Sequence, residues 1–147
     1  MKLFLILIFC PVLFFQACET TDDTLNSLDH TVPTIEFVPD TLDVAAGESL
    51  TINAVVKDES GIQRIEFSYG DWRINEIVDL IPESYPKSYS FSTQINVPSE
   101  AKTQWEEDKF FNDGTSIKIV QRYHKLSLST WDKNRNLKKD YVYVKVN

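Results

Sequence analysis

The chain has 147 residues, 22 Asp and Glu against 15 Lys and Arg, and a formal charge of −7. That acidity argues against a nucleic-acid surface, which needs a basic stripe facing the phosphates. The two cysteines, Cys10 and Cys18, both fall in the first 18 residues, so the remainder has no disulfide to lean on. Its Val, Ile, Thr and aromatic content favours strands over helices.

Lys2 is followed by an apolar run from Leu3 to Phe15. The run is shorter than the roughly 20 residues of a spanning helix and reads as a secretory leader over 1–17. Its end, Phe15-Gln16-Ala17-Cys18, resembles the bacterial lipobox in the looser form typical of Bacteroidota lipoproteins. The resemblance implies acylation of Cys18 and anchorage at the outer membrane, and several acyl chains on one residue hold firmly. Removing Lys2 with the leader leaves 14 Lys and Arg against 22 Asp and Glu. Glu19, Asp22 and Asp23 form an acidic cluster that resembles the surface-export signal of the same bacteria. The stretch 18–30 reads equally well as a solvated tether. Asp23-Thr24-Leu25 and Asp40-Thr41-Leu42 resemble the short acceptor for O-glycans in that group, with Thr24 and Thr41 as the acceptors.

From Thr31 the pattern becomes strand, turn, strand. Ile35 and Phe37, then Leu42 and Val44, make a first strand interrupted by Pro39. Proline cannot donate a ladder hydrogen bond, so this strand suits a sheet edge. Leu50, Ile52, Ala54 and Val56 alternate as a half-buried strand, and Asp58-Glu59-Ser60-Gly61 turns the chain into Ile65, Phe67 and Tyr69. Trp72, Ile74, Ile77 and Leu80 fit no single period and read as a further strand and a loop. Tyr89, Phe91, Ile95 and Val97 alternate until Pro98. Ala101 to Phe111 is expected to hold a helical turn before Asn112-Asp113-Gly114 reverses the chain. Ile117, Ile119 and Tyr123 are odd-numbered while Leu126 and Leu128 are even, which predicts a bulge between Arg122 and Lys125. Asp132-Lys133-Asn134-Arg135-Asn136 turns into a last strand with Val142, Val144 and Val146 on one face and Tyr141 and Tyr143 on the other. About seven strands, each with one apolar face, predict an all-β two-sheet sandwich over 31–147.

Four segments in order carry a resemblance: Thr31-Val32-Pro33-Thr34-Ile35, Ala46-Gly47-Glu48-Ser49-Leu50, Asp58-Glu59-Ser60-Gly61-Ile62 and Asp132-Lys133-Asn134-Arg135-Asn136. Together they resemble the immunoglobulin-like domains of Bacteroidota lipoproteins, including a family of unknown function. The usual last turn of that pattern has glycine where this chain has Arg135. Because the shared landmarks are turns, the resemblance implies a fold rather than an activity.

Chemistry is sparse. His30 and His124 have no metal-ligand spacing to a second His or Cys, so no zinc site and no cofactor are expected. His124 reads as a half-exposed strand residue. Asp132, Asn134 and Asn136 alternate as oxygen donors, but Lys133, Arg135, Lys138 and Lys139 surround them, and such residues serve turns by themselves. The adjacent acids Glu106, Glu107 and Asp108 read as solvated charge, and an enzyme is not expected. The aromatic residues remain. Trp131, Trp105, Trp72, Tyr141 and Tyr143 are the candidate ligand-binding residues, because exposed rings stack on sugars or pack on a protein partner. The leading expectation is a non-enzymatic binding or adhesion module for a glycan or envelope protein. A structural subunit of an outer-membrane uptake complex comes second, and a hydrolase last.

Overall fold

The structure, a computed structural model, describes residues 30–80 and 85–147. The leader, Cys18, Glu19, Asp22, Asp23 and Thr24 lie outside the described residues. Ten strands follow one another with no helix among the described residues: β1 Thr34–Phe37, β2 Thr41–Val44, β3 Ser49–Lys57, β4 Ile62–Tyr69, β5 Ile74–Asp79, β6 Ser88–Asn96, β7 Trp105–Phe110, β8 Ser116–Gln121, β9 His124–Asp132 and β10 Leu137–Val146. The all-β expectation holds, with more strands than the seven expected. The difference arises because the first strand is two strands and because two more come from the segment 105–121.

The strands form a three-stranded sheet in the order β1-β3-β6 and a five-stranded sheet in the order β2-β10-β9-β4-β5, while β7 and β8 pair only with each other. Proline decides the first division. β1 pairs antiparallel with β3, the chain bends through Val38-Pro39, and β2 runs parallel beside β10 on the other sheet. Both halves are edge strands, where a residue without an N–H disturbs no ladder. Thr41 opens β2 and is exposed.

Alternation then builds the core. β3 buries Leu50, Ile52, Ala54 and Val56, and β4 buries Ile65 and Phe67. β9 contributes Leu126 and Leu128, and β10 contributes Val142, Val144 and Val146. The sheets meet face to face: Phe67 of β4 and Phe91 of β6 lie with ring centroids 5.7 Å apart. Each such large side chain, taken out of water, stabilises the sandwich by about 1.5–3 kcal/mol.

Two local expectations are corrected. Trp105 to Phe110 is a strand, not a helical turn, paired in register with Ser116 to Gln121. Gly114, at φ 83°, closes the hairpin, and the Asp113 Oδ1 accepts from the Thr115 N–H at 3.0 Å and hydroxyl at 2.7 Å. Acidic residues mask the strand pattern here because both faces of the hairpin are wet. The parity change near Arg122 is also no bulge. The chain leaves the hairpin at Gln121 and enters the five-stranded sheet at His124, so the two parities belong to two sheets. The bulge that does occur lies in β4, between Ile62 and Arg64 opposite β9.

Candidate functional site

β4 ends and β9 begins at the same pole of the sandwich, and four aromatic rings collect there. His124 has the parity of Leu126 and Leu128, so the strand that buries those leucines also turns the imidazole inward. It is buried, at 3 % exposure, which corrects the expectation of a half-exposed residue. Its ring lies between two indoles, 4.6 Å from the Trp72 centroid and 4.8 Å from that of Trp105. Tyr69, the last residue of β4, meets Trp72 edge-on at 5.1 Å and His124 edge-on at 5.7 Å.

Local structure presents each indole. Trp72 sits on the tight turn between β4 and β5, closed by the Arg73 N–H donating to the Gly70 carbonyl at 3.0 Å. Trp105 opens β7, and its Nε1–H donates to Glu107 at 2.8 Å, while Gln121 of β8 donates to the other Glu107 oxygen at 3.1 Å. The indole is therefore tied to the base of the hairpin by its polar edge.

The imidazole is held at both nitrogens. Its Nε2 lies 2.8 Å from the Lys102 carbonyl, which can only accept, so Nε2 carries a proton. Its Nδ1 lies 2.8 Å from the Tyr69 hydroxyl, which also reaches Asp71 Oδ2 at 3.0 Å. The Tyr69 hydroxyl therefore bridges the imidazole and the Asp71 carboxylate. Burial foremost, then the bond to Asp71 and its charge, with Glu107 adding, pushes the Tyr69 hydroxyl above its ordinary value of 10 and keeps it protonated.

Outside this cluster lies an open cleft of about 330 Å³ lined by Asp71, Trp72, Pro98, Glu100, Ala101, Lys102, Trp105 and His124. Its lining includes two indoles and the acidic residues Asp71 and Glu100. Aromatic faces and polar groups thus line one cleft.

The structure thus brings together two of the five sequence candidates, Trp72 and Trp105, and separates the other three. Trp131 lies at the far end of β9, in a different cleft. Tyr141 and Tyr143 are on β10, on the outer side of the sheet from Val142 and Val144. The Lys125 amine stands 3.7 Å from the Tyr141 ring centroid, so a cation already covers that face. Tyr143 is 40 % exposed. The sequence reading missed His124, Tyr69, Asp71 and Lys102. Strand parity was the signal available for His124; nothing local marks Lys102, whose contribution is a backbone carbonyl. The Asp132 side chain serves its own turn and the neighbouring turn at Ser60. Asp132 Oδ1 accepts from the Asn136 N–H at 2.7 Å, and Oδ2 accepts from the Asn136 amide at 2.8 Å and the Ser60 hydroxyl at 3.2 Å. Among the described residues no cluster of three or more His, Cys, Asp or Glu side chains is placed to hold a metal. Comparison of the sequence with family models and with curated proteins returns no match.

Proposed function

We propose that this chain is a lipid-anchored, immunoglobulin-like module that binds a glycan through the Trp72–His124–Trp105 cleft. The observation that carries the reading is the pair of indoles held against one buried imidazole along an open cleft that acidic residues also line. Stacking on an indole is tolerant of sugar identity, while Asp71, Glu100 and Lys102 are placed to select hydroxyl orientation. The immunoglobulin-like assignment is supported by the first strand, divided between the sheets with β2 parallel to the last strand. The anchor rests on the sequence before Thr31: acylation at Cys18, export directed by Glu19, Asp22 and Asp23, and a location at the outer membrane. The glycan reading is tested by array binding of the full chain beside Trp72→Ala and Trp105→Ala. Each variant should lose binding of neutral oligosaccharides at a temperature where circular dichroism shows it still folded, and wild-type binding by both folded variants would refute the assignment. The anchor is tested by proteinase digestion of intact cells beside a Cys18→Ser chain, which should be released from the membrane.

A second reading, a structural subunit of an uptake complex, is favoured by one observation. The β7–β8 hairpin exposes Phe110 (75 %), Ile117 and Val120 on a ribbon whose outer edges pair with no strand among the described residues. A photo-crosslinker at Phe110 that captures one defined envelope protein in cells would support that reading over the first.

A further inference from the structure

The opposite pole carries a second cleft of about 370 Å³, lined by Gln63, Arg64, Asp79, Trp131 and Arg135. We propose that this cleft is a separate binding site for an acidic saccharide, with Trp131 taking the sugar ring and Arg135 its carboxylate or sulfate. The site does not depend on the Trp72 cleft, from which it is separated by the length of β9.

Backbone conformation is the first observation. Arg135 has φ 68°, in the left-handed region where glycine is free and a side chain is strained. The turn does not let it relax. The Arg135 N–H donates to the Asp132 carbonyl at 3.1 Å, the Asp132 N–H donates to the Asn136 carbonyl at 3.2 Å, and the Asn136 N–H donates to the Asp132 carboxylate at 2.7 Å. An arginine on a backbone that suits glycine costs stability, and strain of this kind gathers at ligand sites.

Register is the second. Leu137, Trp131, Arg64 and Asp79 are direct partners across β10, β9, β4 and β5, so they form one row on the outer face of the five-stranded sheet. The Arg64 guanidinium donates from Nε and Nη2 to both oxygens of Asp79, and its charge is already answered. Arg135 has no ion pair among the described residues. The indole therefore lies between exposed Leu137 and a neutralised pair, with one unanswered guanidinium lining the same cleft.

Local charge is the third. On a chain of −7, the turn into β10 carries Lys133 and Arg135, and Lys139 shares the outer face of β10 with Leu137. Positive charge on an acidic protein draws an anion, and a planar guanidinium binds carboxylate or sulfate oxygens in pairs. An indole beside it adds a stacking face, so the ligand that uses both is a sugar ring bearing an acid group.

The test is titration calorimetry of the full chain with oligogalacturonate as the carboxylate probe, dextran sulfate as the sulfate probe, and neutral dextran as control. At least one acidic probe should bind and dextran should not; the probe that binds identifies the acid group. Arg135→Gly should weaken that binding by about tenfold or more while its Tm stays equal or rises, because glycine relieves the strain. Trp131→Ala should weaken it comparably. Failure of both acidic probes, unchanged binding by Arg135→Gly, or binding that survives Trp131→Ala through the lysines alone would each overturn the proposal.

Discussion

His124 and Asp132 open and close β9, both face the core, and both are buried, at 3 % and 0 % exposure. By strand rise they stand about 26 Å apart, one at each pole. Asp132 is bonded inward: its carboxylate accepts from the Asn136 N–H and amide and lies 3.2 Å from the Ser60 hydroxyl, while the Ser60 N–H donates to Asp58 at 2.9 Å, so the pole is knit shut. His124 is bonded to Tyr69 and to the carbonyl of Lys102, and Lys102 lines an open cleft. A buried polar group must be satisfied in either case. At Asp132 residues of two turns supply the partners and tie those turns together; at His124 one partner is the carbonyl of a residue that lines the cleft.

Breaking the Asp132 pole should have the largest effect. Asp132→Ala removes a buried carboxylate that accepts from the Asn136 N–H and amide and reaches Ser60, at a cost of about 3 kcal/mol, lowering Tm by roughly 15 °C. Urea and thermal unfolding would measure it. A loss below about 1 kcal/mol would show that backbone bonds alone hold the turn.

His124→Ala should cost less, about 1–2 kcal/mol, because the Lys102 carbonyl and Tyr69 hydroxyl can turn to water in the cleft. Amide hydrogen exchange should speed up over 97–104, the loop that carries Lys102, and stay unchanged over 132–136. Faster exchange at both poles would mean that they are coupled rather than independent.

A smaller effect is expected at alkaline pH. The Tyr69 hydroxyl is raised in the folded state above its ordinary 10, so its contribution is full below that value and is lost as pH climbs beyond it toward the folded value. Stability should fall between pH 9 and about pH 12 in the wild type, and Tyr69→Phe should remove that slope. An unaltered slope in the variant would place the titrating group elsewhere.

The smallest effect belongs to the exposed Arg64–Asp79 pair, 46 % and 64 % exposed. Arg64 holds the Asp79 carboxyl below its ordinary 3.8, so this contribution is present above that value and is lost as pH falls through the depressed one. Solvent screening keeps it slight. Arg64→Ala should leave the urea midpoint at neutral pH unchanged within error, and a clear drop would give the outer row a structural role.

Much of the sandwich was legible because alternation is local: Leu50 to Val56, Ile65 to Tyr69 and Val142 to Val146 each announce a strand and its buried face. The hairpin was not, because Glu106, Glu107, Asp108 and Lys118 put charge on both of its faces, and only the pairing of Trp105 with Gln121 reveals it. The candidate aromatic residues were legible as a set but not as sites. Trp72 and Trp105 are 33 positions apart and meet only through His124, whereas Trp131, just seven residues beyond His124, lies at the other pole.

The sequence by itself determined what depends on neighbours along the chain: strand period, the turn chemistry of Asp58 and Asp132, and the proline break that divides the first strand. Tertiary structure decided which sheet each strand joins, which indoles share an imidazole, and which cations find a partner. Those outcomes depend on contacts between distant segments, and no local pattern encodes a distance between residues that only the packing of two sheets brings together.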